Sequence, residues 1–218
     1  MKDLYILGAG GCGREVLSMM LDAQAIQGQR WNIKGFLDDT EAPLHGKDCA
    51  LPVVGTIMDY SPKPNDVLLM GIAEPHAKER LVNMLQARGA AFASFIHPYV
   101  TMGRYSQLGE GAVVYGGFGM TVNVKVGTFA TLQACYLGHD VTVGDYCTIS
   151  SFCNIMGYVA VGKRVFIGSN AAIAPHAIIE DDAYICVGSV VIKNVKAGAK
   201  VLGNPAREID VQPAPTSM

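Results

Sequence analysis

From Ile96 onward an aliphatic residue or methionine returns at every sixth position. Ile96, Met102, Leu108, Val114, Met120, Val126 and Leu132 keep strict register. One residue is then missing, and the count restarts at Leu137 and runs through Val143, Ile149, Ile155, Val161, Ile167, Ile173, Ile179 and Ile185 to Val191. Half of the chain is apolar, far too little for seventeen such positions to coincide by chance. Four residues after each second-phase position stands a small or β-branched residue, including Val141, Cys147, Cys153, Ala171, Ala183 and Ser189. A period of six is the mark of a hexapeptide β-helix, in which six residues make one short strand, three strands make a coil, and coils stack in parallel. The aliphatic residue fills the interior of the prism and the smaller one fits near a corner. Gly144, Gly162 and Gly168, one past the aliphatic position, are expected to supply tight corners. At roughly 18 residues per coil, the repeat predicts five to six coils. Cys147 and Cys153 read as core filler.

The first 93 residues have a different grammar, with short apolar runs alternating with helical patterns. Leu4 to Leu7 reads as a strand, Arg14 to about Gln27 as a helix, and Ile33 to Leu37 as a second strand ending in Asp38-Asp39. "NDVLLMGIA" predicts another buried strand, and a helix then opens at Pro75 and stops at Gly89. The sum is a small parallel sheet of three or four strands. The domain reading is therefore 1–93 for a Rossmann-like α/β unit, 94–210 for the β-helix, and 211–218, "VQPAPTSM", for a frayed tail.

A net charge of −2 with no basic run argues against nucleic acid or an anionic membrane as the main partner. No apolar stretch is long enough to span a bilayer, and no signal peptide is apparent, so a cytoplasmic location is expected. Six cysteines without a C-x-x-C pair read as core residues.

Two features could carry chemistry. "LYILGAGGCGREV" fits G-x-G-x-x-G through Gly8, Gly10 and Gly13, a turn that lets backbone meet a phosphate at a helix N-terminus. The match alone is weak evidence for a nicotinamide cofactor, because only about 90 residues precede the prism, short of a doubly wound domain. The second feature is the break in the repeat, "LQACYLGHDV", which delivers His139 followed by Asp140. Histidine titrates near neutral pH, and a neighbouring carboxylate holds one tautomer and raises ring basicity, as a general base requires. A histidine merely solvated in a corner turn would look the same.

His45, His76 and His97 are weaker candidates, while His176 lies 37 residues after His139, close to two coils on and so able to face the same side. A metal centre needs three converging ligands, and no H-x-x-x-H or H-x-x-x-x-H pair exists; no metal is expected. Cys135, four residues before His139, raises a Cys-His nucleophile, but strand direction should separate the two across a corner.

The order "ILGAGGCGREV", "FLDD", "FIHP", "GHDVTVGDY" and "VLGNPARE" resembles the sugar acyltransferase family of sialic acid O-acetyltransferases and bacillosamine-pathway N-acetyltransferases over nearly the whole chain. The resemblance implies a left-handed parallel β-helix, a homotrimer, and acetyl-CoA bound in the groove between adjacent prisms. It places His139 on the general base and Asp140 on the residue that strengthens it. Gly10, Gly11 and Cys12 fall on the acceptor-binding turn, Asp38 and Asp39 on nucleoside-side contacts, and Gly71 on a close backbone approach. Thr148, Ser169 and Val187 fall on coenzyme A contacts, several of them made by backbone, and Arg207 in "GNPAR" could meet a phosphate. Two departures bear on the acceptor: Cys12 stands where a histidine is common, and Thr148 where some relatives carry a second histidine.

The function expected is direct transfer of an acetyl group from acetyl-CoA to an amine or hydroxyl of a sugar or nucleotide-sugar. Two rivals remain at this point. One is an NAD(P)-dependent oxidoreductase using the opening glycine motif, which saturable NAD binding would support. The other is a non-catalytic nucleotide-sugar-binding trimeric scaffold, favoured by acceptor binding without coenzyme A binding.

Overall fold

A computed structural model describes residues 1–117 and 119–210; the tail expected to fray lies outside them. The N-terminal region holds β1 (Asp3–Leu7), α1 (Gly11–Gln27), β2 (Asn32–Leu37), β3 (Val53–Gly55), β4 (Asp66–Met70) and α2 (Pro75–Ala87). The four strands form a parallel sheet in the order β3-β2-β1-β4. Strand β4 is buried along its whole length, as a continuous apolar run predicts.

Helix α1 starts at Gly11, three residues before the expected Arg14. Glycine is a poor helix former, so propensity hides this first turn. Packing restores it. A Cβ on Gly13 would lie 1.9 Å from the Gly8 carbonyl oxygen, and one on Gly71 would lie 2.7 Å from the Leu7 oxygen and 2.9 Å from the Gly13 Cα. The ends of β1 and β4 and the first turn of α1 therefore meet backbone to backbone, and Gly8 takes a left-handed φ of 88° to make the turn. Helix α2 is capped as its sequence suggests: the Glu74 carboxylate accepts from the backbone N–H groups of His76 and Ala77, and Pro75 occupies the first turn.

Seventeen two-residue strands follow, from β5 (Phe95–Ile96) to β21 (Val190–Val191), and the periodic residue is the second residue of every one. They stack in parallel on three sides of a prism. Side one begins with Phe95–Ile96, side two with Thr101–Met102 and side three with Gln107–Leu108. A closing hairpin, β22 (Lys200–Gly203) with β23 (Ala206–Glu208), extends side one. Periodic residues from Val114 onward form one continuous core with the smaller residues, Cys147 and Cys153 among them. Ile96 and Met102 are exposed instead, because no coil lies beneath the first to cover them.

The corners correct one expectation. Their left-handed φ falls on side-chain-bearing residues three past the aliphatic position, among them Asp140, Tyr146, Tyr158 and His176. Gly144, Gly162 and Gly168 have no such φ; a Cβ there would meet the adjacent coil's backbone at 2.4, 2.7 and 2.7 Å. These glycines permit close stacking, not a sharp turn.

Helix α2 docks the α/β region on side one. Lys78 is fully buried and donates to the Thr148 hydroxyl (2.8 Å), the Cys147 carbonyl (2.8 Å) and the Thr131 hydroxyl (3.3 Å). Three oxygens match the three N–H bonds of an ammonium, but none is a carboxylate. Burial pulls the Lys78 pKa down to about 7. At the rim, Arg164 forms a two-pronged pair with Asp182 at 2.6 and 3.0 Å and reaches Glu79 of α2 at 3.3 Å.

Candidate active site

The missing residue shortens the corner between sides one and two at Gln133–Cys135, and His139 belongs to the next corner, between sides two and three. There the chain turns through Asp140 at φ 59°. His139 Nδ1 lies 3.0 Å from Asp140 Oδ2, and Asn123, one coil below, donates to Asp140 Oδ1 at 3.1 Å. The hydrogen bond from His139, then that from Asn123, holds the Asp140 carboxyl below the ordinary aspartate value. A carboxylate at Nδ1 keeps the proton on that nitrogen and leaves the Nε2 lone pair free, the arrangement a general base needs. Half of the imidazole side chain is exposed to solvent (52 %). Beside the pair, on side three, an open groove of about 440 Å³ is lined by Tyr105, Gln107, Asn123, Lys125, Asp140 and Thr142.

The rings continue up the same corner. Tyr158 stands edge-on to His139, with centroids 5.0 Å apart and planes at 84°, and stacks flat on His176 at 4.9 Å and 5°. His176 thus does share the corner with His139. Two other histidines are engaged elsewhere: His97 is buried with Nδ1 accepting from the Tyr99 N–H, and His76 pairs with Asp182 at 3.5 Å. Cys135 lies in the prism core, where burial pushes its thiol pKa up, so no thiolate faces His139.

The glycine turn occupies a different corner. Gly10 and Gly11 are exposed, with nothing within 4 Å of the Cβ either would carry. Cys12 sits against Tyr115 at the corner between sides one and two, its Sγ 3.4 Å from the Tyr115 hydroxyl, which is also 3.3 Å from Glu15 Oε2. Burial raises the Cys12 pKa, so it remains a thiol at neutral pH. Asp38 braces this turn by accepting from the Ala9 N–H at 2.6 Å, and Asp39 accepts from the N–H groups of Ile57 and Met58 at 2.8 and 3.0 Å. Gly71 is the close backbone approach described above.

Of the expected coenzyme residues, Ser169 and Val187 stack one coil apart at the corner that also holds Cys12 and Tyr115; Gly188 N–H donates to the Ser169 carbonyl at 2.9 Å. Val187 is 64 % exposed. Thr148 does not join them. It is fully buried on side one, its hydroxyl accepting from Lys78 and donating to the Ala73 carbonyl at 2.5 Å, and its backbone N–H is taken by Val165. In this chain Thr148, expected at a coenzyme contact, ties the two regions together through Lys78 and Ala73. Arg207 lies on the closing hairpin beside a groove of about 270 Å³ that also carries Lys193 and Lys196. Asn123 and Tyr115 were missed in the sequence. The signal for Asn123 was there: it precedes Asp140 by 17 residues, one coil less the missing residue.

The family model described as the PglD N-terminal domain matches residues 3–85. Over 97% of this chain and 98% of the relative, the sequence is 31% identical to GDP-perosamine N-acetyltransferase of Escherichia coli O157:H7. The chain belongs to the hexapeptide-repeat sugar N-acetyltransferase family. Members of this sugar N-acetyltransferase family are acyl-CoA-dependent acetyltransferases, and the chain is one of them. Solved structures share the fold over both regions. The acetyltransferase domain of PglB from Neisseria gonorrhoeae FA1090, in complex with acetyl coenzyme A, superposes with a TM-score of 0.82 at 23% identity, over 95% of this chain and 99% of that one. PerB from Caulobacter crescentus, in complex with CoA and GDP-perosamine, gives a TM-score of 0.81 at 22% identity, over 96% and 98%.

Proposed function

We propose that the chain transfers the acetyl group of acetyl-CoA to the amino group of a nucleotide-linked amino sugar, with His139 as general base. The observation that carries this reading is the His139–Asp140 pair, 3.0 Å apart on a half-exposed corner, with Asn123 fixing the carboxylate. Nε2 takes the proton as the sugar nitrogen attacks the thioester carbonyl; the C–S bond breaks and coenzyme A leaves as its thiol. Cys135, four residues before His139, and Cys12 in the glycine turn have their thiol pKa values raised by burial, which favours direct transfer over an acyl-enzyme.

The acceptor turn and the residues Ser169 and Val187 share one corner, whereas His139 stands on another, with side two between them. One chain therefore holds two parts of the site apart. A neighbouring copy that presents its His139 corner to this chain's turn completes the site, which supports a homotrimer with acetyl-CoA between prisms. In this reading the exposed N–H groups of Gly10 and Gly11 meet the phosphates of the nucleotide, and Asp38 and Asp39 shape the nucleoside side. Arg207 takes a phosphate of the coenzyme. The N-acetyltransferase relative favours nitrogen over oxygen as the atom acylated, and a GDP-linked amino sugar as the first acceptor to try.

The test is thiol release from acetyl-CoA against a panel of GDP- and UDP-linked amino sugars, with sedimentation to read the assembly. His139→Ala is expected to slow release at least about 100-fold, the contribution of a general base, while the sedimentation profile stays unchanged. An unchanged rate would remove His139 from the base role.

A further inference from the structure

We propose that Gly157, Tyr158 and His176 form a seat that fixes the plane of the His139 imidazole; this rests on the reading of His139 as the base. A Cβ on Gly157 would lie 2.5 Å from His139 Cε1, 2.6 Å from Nε2 and 3.0 Å from Nδ1. The ring therefore lies across the bare Cα of Gly157, in the space a side chain would fill. Gly157 is not among the residues of positive φ, so its backbone conformation does not call for glycine. The contrast with Gly144 and Gly168 is direct: there the missing Cβ would meet backbone of the adjacent coil, which cannot swing away, whereas at Gly157 the three nearest atoms all belong to one imidazole.

The remaining freedom of the ring is closed from its flank. Asp140 tethers Nδ1 at 3.0 Å, but one hydrogen bond leaves the ring able to tilt about it. Tyr158 presents its ring edge-on at 5.0 Å, and its own backbone N–H donates to the His139 carbonyl at 3.0 Å. His176, stacked flat on Tyr158, keeps that ring upright in turn. Tether, floor and wall together set the direction of the Nε2 lone pair, the atom that takes the proton. Gly157, Tyr158 and His176 are positioning residues, because they act through His139.

The test combines nitrogen-15 histidine NMR of the full-length protein with kinetics. Gly157→Ala is expected to shift both His139 ring nitrogens and to lower kcat about 100-fold, the cost of misplacing a reacting group by about an ångström, with KM for acetyl-CoA and the circular dichroism spectrum unchanged. Tyr158→Ala is expected to lower kcat about tenfold, the scale of one lost aromatic pair. Tyr158→Phe keeps wild-type shifts and rate, because the ring and not the hydroxyl makes the wall. A His139→Ala/Gly157→Ala double variant melts with His139→Ala, since the methyl then has room. Unchanged His139 nitrogen shifts in Gly157→Ala and Tyr158→Ala overturn the seat, as does Tyr158→Phe losing as much rate as Tyr158→Ala. If His139→Ala keeps its rate, the base assignment falls instead, and the nitrogen shifts still decide the seat.

Discussion

The glycine turn of the α/β region is held from three directions, whereas a prism corner is built as a column. At the turn, backbone from β1, α1 and β4 meets within contact distance around Gly8, Gly13 and Gly71. At the His139 corner, each side chain meets chiefly those one coil above and below, as Asn123, Asp140, Tyr158 and His176 do. A substitution at the turn therefore strikes backbone and has nowhere to relax. At Gly157 on the column it strikes another side chain, which can move. The prism can thus vary its chemistry at a corner without altering its fold, while the turn has its shape fixed by three elements at once.

The largest expected effect tests the rigid side of this comparison. Gly13→Ala places a methyl 1.9 Å from the Gly8 oxygen, and should cost on the order of 3 kcal/mol by overpacking, read as a fall in urea midpoint. Gly11→Ala, one residue outside the crossing and open above, should change stability by less than about 1 kcal/mol while raising KM for the acceptor. Equal destabilisation by the two variants would show that the turn is not held by its backbone crossing.

Next in size is the joint between the regions. Burial holds the folded Lys78 at a pKa of about 7, against the ordinary lysine value of 10.5, so between these values the unfolded chain binds the extra proton and stability rises with pH. The penalty of burying the charge is fully present below pH 7 and is relieved as the pH climbs toward 10. From pH 7 to pH 9 the gain should be about 2 kcal/mol, measured by urea unfolding. Lys78→Met removes this slope, since the groups that act on the lysine by charge, Cys147, Cys12 and Glu74, remain in both proteins. Parallel pH profiles for the two would refute a titrating Lys78.

The smallest effect probes the column. Asn123→Ala removes a 3.1 Å hydrogen bond to Asp140 and should lower kcat by a few-fold, about 1 kcal/mol. Loss of that donor raises the Asp140 pKa, so the acid limb of the rate profile should move toward higher pH. Thermal stability should stay the same. A fall in stability without a kinetic change would make the contact structural only.

Much of the prism was legible because its period is imposed by the backbone: every inward position repeats, so Ile149 or Ile167 could be placed without knowing what lay opposite. The repeat also located the column that carries His139, by adding or subtracting a coil. It placed the missing residue between Leu132 and Leu137, in the corner that precedes the one carrying His139. It also took Gly144 and Gly168 for turn glycines, because close stacking and left-handed φ select the same residue for different reasons. Thr148 illustrates the limit of position-by-position transfer. Its place in the repeat was right, but whether its hydroxyl met a ligand or a lysine depended on α2, seventy residues earlier.

The sequence by itself determined a parallel prism of about six coils, a parallel α/β unit ahead of it, and a histidine–aspartate pair on a corner. All three follow from local periodicity or adjacency. Only the tertiary structure decided that Gly157 leaves room for an imidazole, that Lys78 joins the two regions with no carboxylate among its hydrogen-bond partners, and that the glycine turn and His139 stand on different corners. Those facts concern surfaces brought together from distant parts of the chain, and the spacing of residues along one strand carries no record of what docks on its outer face.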